Sequence, residues 1–165
     1  MRLPKTATKL LSKKMTNLTI KRKPDYIIGE PNNPYLKRWW VIPRNRIFNI
    51  YLHLIIRSDD DRALHDHPFP NISILLKNGY IEHTIAQGGV HYKVNREVGD
   101  IVFRRATKAH RLEVLPFADE PAMSLFITGP RIREWYFHCV DKGKIWWQDF
   151  VSTTNSGQVG RGCGD

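Results

Sequence analysis

The 165-residue chain is poor in cysteine: Cys139 and Cys163 are the only two, the second in a glycine-rich end. Two thiols so placed form neither a disulfide framework nor a zinc ribbon, and neither is read as a thiol nucleophile, so both read as incidental. Long apolar runs are also missing. No stretch approaches the roughly 18–20 residues that a spanning helix requires, which excludes a helical membrane span. The first residues lack the apolar segment of a secretory signal. The expectation is a soluble, cytoplasmic protein. Acidic residues are absent before Asp25, whereas Arg2, Lys5, Lys9, Lys13, Lys14, Lys21, Arg22 and Lys23 all fall there.

That asymmetry locates the net charge of +10, because the remainder carries 18 basic and 16 acidic residues. The basicity belongs to residues 1–24, read as a disordered, self-repelling tail that serves as a solubilising leader or makes weak, non-specific contacts with a polyanion. Met15 offers an alternative start within it. From Ser152 onward Ser, Thr, Asn and Gly dominate, so residues 151–165 read as a flexible end. A single domain over 25–150 lies between.

Within that domain apolar and aromatic residues run without helical period. The expected strands lie in 41–58, 71–85, 90–95, 99–105, 110–116, 123–129 and 133–140. Turn residues separate them: 58–61, 87–89, Gly99-Asp100, and Asn78-Gly79, read as a tight hairpin. Pro116 stops one strand, and 144–150 has helical character. Short strands at this spacing predict an all-β sandwich or barrel. Trp39, Trp40, Trp146, Trp147 and the aromatics of 134–138 read as core and barrel plugs, since no nucleic-acid motif accompanies them.

Seven histidines are present, and His53, His83, His91 and His138 read as structural or surface residues. His65 and His67 differ. In "ALHDHPFP" (63–70) they stand on alternate residues, so an extended backbone sends both to one face, while Asp66 points away. Pro68 and Pro70 stiffen the exit and hold the pair at a preset angle. A third ligand must come from a neighbouring strand, and His110, at the start of the strand after "GDIVFRRATKA", is the candidate.

Here the residues resemble the cupin superfamily, whose first motif is Gly-x5-His-x-His-x3–4-Glu-x6-Gly and whose second is Gly-x5-Pro-x-Gly-x2-His-x3-Asn. His65, His67, Gly79, Gly99 and His110 fall in register. Asp59, Ile72, Arg105, Thr107 and Val114 stand where the motifs have Gly, Glu, Pro, Gly and Asn. The resemblance implies a single jelly-roll barrel over most of 25–150, pairing through strand edges into a homodimer, and a divalent metal inside it. Carried over residue by residue, the ligands are His65, His67 and His110, with no carboxylate at Ile72.

Three neutral imidazoles suit Fe(II) foremost, and also Zn, Ni or Cu, with coordination positions left open. The full dipositive charge favours an anionic substrate group. The ligand set resembles that of thiol dioxygenases, cupins with a three-histidine iron, and so implies a non-haem dioxygenase acting on a small thiol or carboxylate. Ile72 excludes the cysteine–tyrosine link of some members. Tyr51, Arg57, Arg104 and Arg131 are the candidate substrate-binding residues, offering donor forks or a phenol. Arg104 shares strand parity with Asp100 and Val102. Two other readings remain: a non-catalytic cupin that binds a small molecule or senses metal, and a sugar isomerase or epimerase, which needs an acid/base such as Glu82 or Glu113.

Overall fold

The strands form where β-branched and aromatic residues cluster, and their pairing sorts them into two separate layers. In the computed structural model, which describes residues 1–30, 32–58, 63–86, 89–115, 120–155 and 157–164, helix α1 (Lys5–Lys21) precedes β1 (Tyr26–Glu30), β2 (Asn33–Trp40) and β3 (Asn49–Ile55). There follow β4 (Leu64–His65), β5 (Asn71–Lys77), β6 (Tyr80–Ile85), β7 (His91–Arg96), β8 (Ile101–Arg104) and β9 (His110–Val114). The chain closes with β10 (Ala122–Thr128), β11 (Tyr136–Cys139), β12 (Gly143–Trp146) and the single turn α2 (Trp147–Phe150). One antiparallel sheet has the order β1-β2-β3-β10-β5-β8 and the other β12-β11-β4-β9-β6-β7. The described residues are mostly β, as expected, with the addition of a 17-residue helix, and the two six-stranded sheets do not close into the single barrel expected. The turns expected at 59–61, 87 and 88, and Pro116, lie outside the described residues.

Asn78 has the positive φ expected of it, at 48°. It does not close a hairpin: β5 pairs with β10 and β8, whereas β6 pairs with β7 and β9, so the turn carries the chain from one sheet to the other. Gly79 is needed for close approach, because a Cβ there would meet the Arg96 carbonyl oxygen at 2.3 Å. Gly99, at φ 92°, occupies the left-handed region that side chains disfavour.

Three apolar clusters hold the layers. Tyr35, Leu36, Ile55, Leu75, Tyr80 and Leu112 join the two sheets face to face. Met15, Trp39, Leu52, Leu76, Met123 and Leu125 fill the space between α1 and the outer side of the first sheet. The third cluster, around Phe137, Cys139 and Phe150, lies under the C-terminal segment.

Residues 5–21 are therefore a docked helix and not a disordered tail. Leu11, Met15 and Leu18 recur at i, i+4 and i+7 beneath the lysines, and Thr8 and Ser12 continue the buried stripe. Both ends are bolted down. Arg2 pairs with Glu97 and Asp100, and Arg22 donates to Asp25 and to the Trp40 carbonyl. No helix among the described residues is long and apolar enough to cross a membrane.

The C-terminal end is also ordered against the body. Cys139 and Cys163, expected to be incidental, form a disulfide with Cα atoms 5.6 Å apart. Val151 bridges Val159, and the amides of Gly160 and Gly162 donate to the Phe150 carbonyl. The 144–150 stretch is half strand and half helical turn.

Candidate metal centre

The site is built on β4 and β9. β4 is only two residues long, and its His65 lies directly opposite His110 in the ladder. His67 follows just beyond the strand, its amide donating to the Ala106 carbonyl at 3.0 Å. Pro68 extends this fixed exit and accepts the Ile132 N–H on its carbonyl. The ring centroids form a near-equilateral triangle, 5.3 Å for His65–His67, 5.2 Å for His65–His110 and 5.1 Å for His67–His110. One ligand nitrogen from each ring lies within 4.8 Å of the others, and His67 Nε2 stands 2.9 Å from His110 Nε2. Four-coordinate imidazole ligands about 2.0–2.1 Å from an ion sit about 3.3 Å apart, so the donor set fits a divalent metal with modest adjustment.

His67 and His110 are held neutral, as ligation demands. Burial, with His110, His65 and nearby arginines, presses the His67 pKa well below its ordinary value. Burial and the Arg104 charge bring His110 down to about 3. His110 Nδ1 lies 3.0 Å from Glu82 Oε1, an arrangement that orients the ring and leaves Nε2 as the donor.

Glu82 sits in a buried ion network. Arg104 Nε donates to its Oε1 at 2.5 Å, Arg96 Nε to its Oε2 at 2.6 Å, and Arg104 reaches on to Ser73 Oγ at 2.8 Å. Burial alone would raise the Glu82 pKa; His110 and Arg104 override it and hold the carboxyl well below its usual range. Ile72 lies on β5, between Phe103 and Ile127, so no carboxylate joins the three histidines in the cluster among the described residues.

Asp66 points away from the three histidines, as its parity requires, but it is fully buried. Its carboxylate accepts the Tyr136 N–H at 2.8 Å and lies 2.9 Å from Arg133 and 3.1 Å from His138 Nε2. It thus locks β4 to β11.

A cavity of about 480 Å³ opens beside His65 and His67. Tyr51 and Arg131 line it, Arg131 with a 2.5 Å bond to Glu134. Arg104 and Arg57 do not line it: Arg104 stands behind His110, and Arg57 Nε donates to the Asn33 carbonyl at 2.9 Å. The sequence reading missed Arg38, on β2, which lines the cavity. Its Nε donates to His53 Nε2 at 2.8 Å, and its guanidinium lies 5.0 Å from the Tyr51 ring centroid. The available signal was a cation within the strand "LKRWW" whose register places it opposite His53. His53 accepts as a neutral imidazole, because burial and the Arg38 charge press its pKa well down.

Two antiparallel sheets with histidines converging between their strands define a cupin-type fold, and comparison with solved structures agrees. Bacillus subtilis oxalate decarboxylase superposes with a TM-score of 0.54 at 16% identity, over 82% of this chain and 33% of that one. The same enzyme in a study of its Mn(II) centres gives 0.52 at 17% identity, over 72% and 30%. An Fe(II) form of HppE with an alternative substrate gives 0.52 at 11% identity, over 66% and 56%. This chain thus spans about a third of the oxalate decarboxylase chain. At such identities the likeness shows the fold. No protein-family model matches the sequence, and no curated protein does.

Proposed function

We propose that this cupin binds one divalent metal through His65, His67 and His110, Fe(II) foremost, and acts as a dioxygenase-class oxidoreductase on a small anionic substrate. The observation that carries the reading is the convergence of three imidazoles beside a cavity lined by Arg38, Arg44 and Arg131 but, among the described residues, by no carboxylate. A bound ion would supply Lewis acidity and, as iron, electron transfer to O₂. The chain's own residues supply the rest. Arg38 receives and orients the anionic group, Tyr51 supports the guanidinium, Glu82 keeps the His110 ring in place, and the aromatic walls exclude water. The manganese and iron enzymes that share the fold lend support by analogy of architecture only.

The isomerase reading loses its two carboxylate candidates. Glu82 is held in the network behind His110, and Glu113 bonds His83 and Lys93, away from the cavity. Elemental analysis of the purified protein beside His65→Ala, His67→Ala and His110→Ala tests the proposal. The expected result is about one iron per chain, lost in each variant, with O₂ uptake on adding carboxylates or thiols. Retained metal and ligand without turnover would replace the enzyme with a binding module. Absence of metal, even after anaerobic Fe²⁺ addition, would overturn the site.

A further inference from the structure

Taking the cavity beside the histidines as the substrate site, we infer that its ligand is a planar aromatic monocarboxylate, with the carboxylate on Arg38 and the ring between aromatic walls.

Size comes first. A cavity of about 480 Å³ is of the class that encloses a ring-bearing molecule, and an amino-acid-sized thiol would leave most of it to water. The walls come second. Trp40, Phe69, Trp135, Phe137, Trp147 and Phe150 all contribute to the lining. Flat π faces favour offset or edge-to-face contact with another ring, a preference that an aliphatic substrate cannot use.

The charge comes third. Arg38 is fixed at two points, by its bond to His53 and by its position over Tyr51, so its fork is pre-organised. The other cavity arginines differ. Arg44 packs over Trp40, with its guanidinium carbon 5.4 Å from the ring centroid, and Arg131 is paired with Glu134 at an exposed position. The cavity lining contains no acid among the described residues, so Arg38 meets no carboxylate there. A sequestered cation without a counter-charge is unfavourable, and a ligand carboxylate relieves it through a bidentate pair. A single such partner suits a monoacid.

The test is calorimetric titration with benzoate, acetate, benzyl alcohol and L-cysteine, with metal content measured on the same sample. Benzoate is expected to bind at least about tenfold tighter than acetate, which lacks the ring, and than benzyl alcohol, which lacks the charge. Arg38→Gln is expected to weaken benzoate by about 10- to 100-fold and leave benzyl alcohol nearly unchanged, with Arg38→Lys in between. Cysteine binding tighter than benzoate, acetate matching benzoate, or undiminished benzoate affinity in Arg38→Gln would each overturn the proposal. The wild-type comparisons decide even where a variant fails to fold. Protein that retains metal but rejects benzoate sinks this inference and leaves the metal site standing. Benzoate binding through Arg38 without retained metal does the reverse.

Discussion

Glu82 and His53 are two buried groups whose protonation the fold dictates, and neither is among the lining residues of the cavity. Glu82 and Arg104 are nearly inaccessible, at 2% exposure each, so each is the other's main compensation for lost hydration. Glu82→Gln leaves the Arg104 charge without its counter-ion. The expected loss is about 3–5 kcal/mol in urea unfolding. Because His110 also loses its orienting partner, metal affinity in a chelator competition is expected to fall by about 10- to 100-fold. His53 behaves differently. Its native pKa is pressed well below 6.5 by burial and by Arg38, so the unfolded chain takes up a proton that the native protein refuses. That contribution is complete above about pH 6.5 and is lost as pH falls towards the native value, at up to about 1.4 kcal/mol per pH unit. His53→Gln keeps an acceptor for Arg38 but does not titrate. Its stability is expected to fall less steeply than wild type between about pH 6.5 and 5, as read by urea titrations across that range.

At the scale of elements, the C-terminal segment shows how one covalent link shapes the cavity. Phe150, Val151, Gly157, Gln158 and Val159 form part of its wall, and the disulfide ties the far end of that segment to β11, the strand next to His65. Closing a loop with a sequence separation of 24 residues restricts the unfolded chain by an expected 2–4 kcal/mol, about the range for such links. Reduction is expected to remove that stability and to speed trypsin cleavage at the exposed Arg161, measured by urea unfolding and mass spectrometry. The two cysteines stand at opposite ends of a stretch with no other thiol, and nothing local announces that they meet. Other elements were legible to different degrees. β5 and β10 stand out as apolar runs and β9 as an alternating one. The buried stripe of α1 is hidden under lysines, with only Leu11, Met15 and Leu18 to show it. The Asn78-Gly79 pair displays turn chemistry, but which sheet receives the next strand depends on contacts distant in sequence. That His65, His67 and His110 come together was readable from the alternate spacing of the first two and, for the third, from the cupin motif it matches. Arg38 was not, since only the β2–β3 register brings it to His53.

Across the whole molecule, the second sheet has one slender joint. β4 pairs through two residues with β11 and through one, His65, with β9. The β11–β12 pair is therefore connected to the β9–β6–β7 part of its sheet through the segment that carries His65 and His67. Asp66 braces one side of that joint, bonding β11 and Arg133. On the other side the three imidazoles cluster without a carboxylate among them, and a divalent ion there would link β4 to β9 through coordinate bonds. Since the unfolded chain does not hold the histidines together, metal at about 100 times its dissociation constant should add about 2.7 kcal/mol. The expected result is a Tm that rises with Fe²⁺ or Zn²⁺ under anaerobic conditions and falls back with chelator. In His110→Ala the metal response should vanish, while the mutation's own stability cost persists in chelator. A thermal shift of equal size in the variant would mean that the stabilising ion sits elsewhere, and that the joint between the two halves of the sheet is held by protein contacts alone.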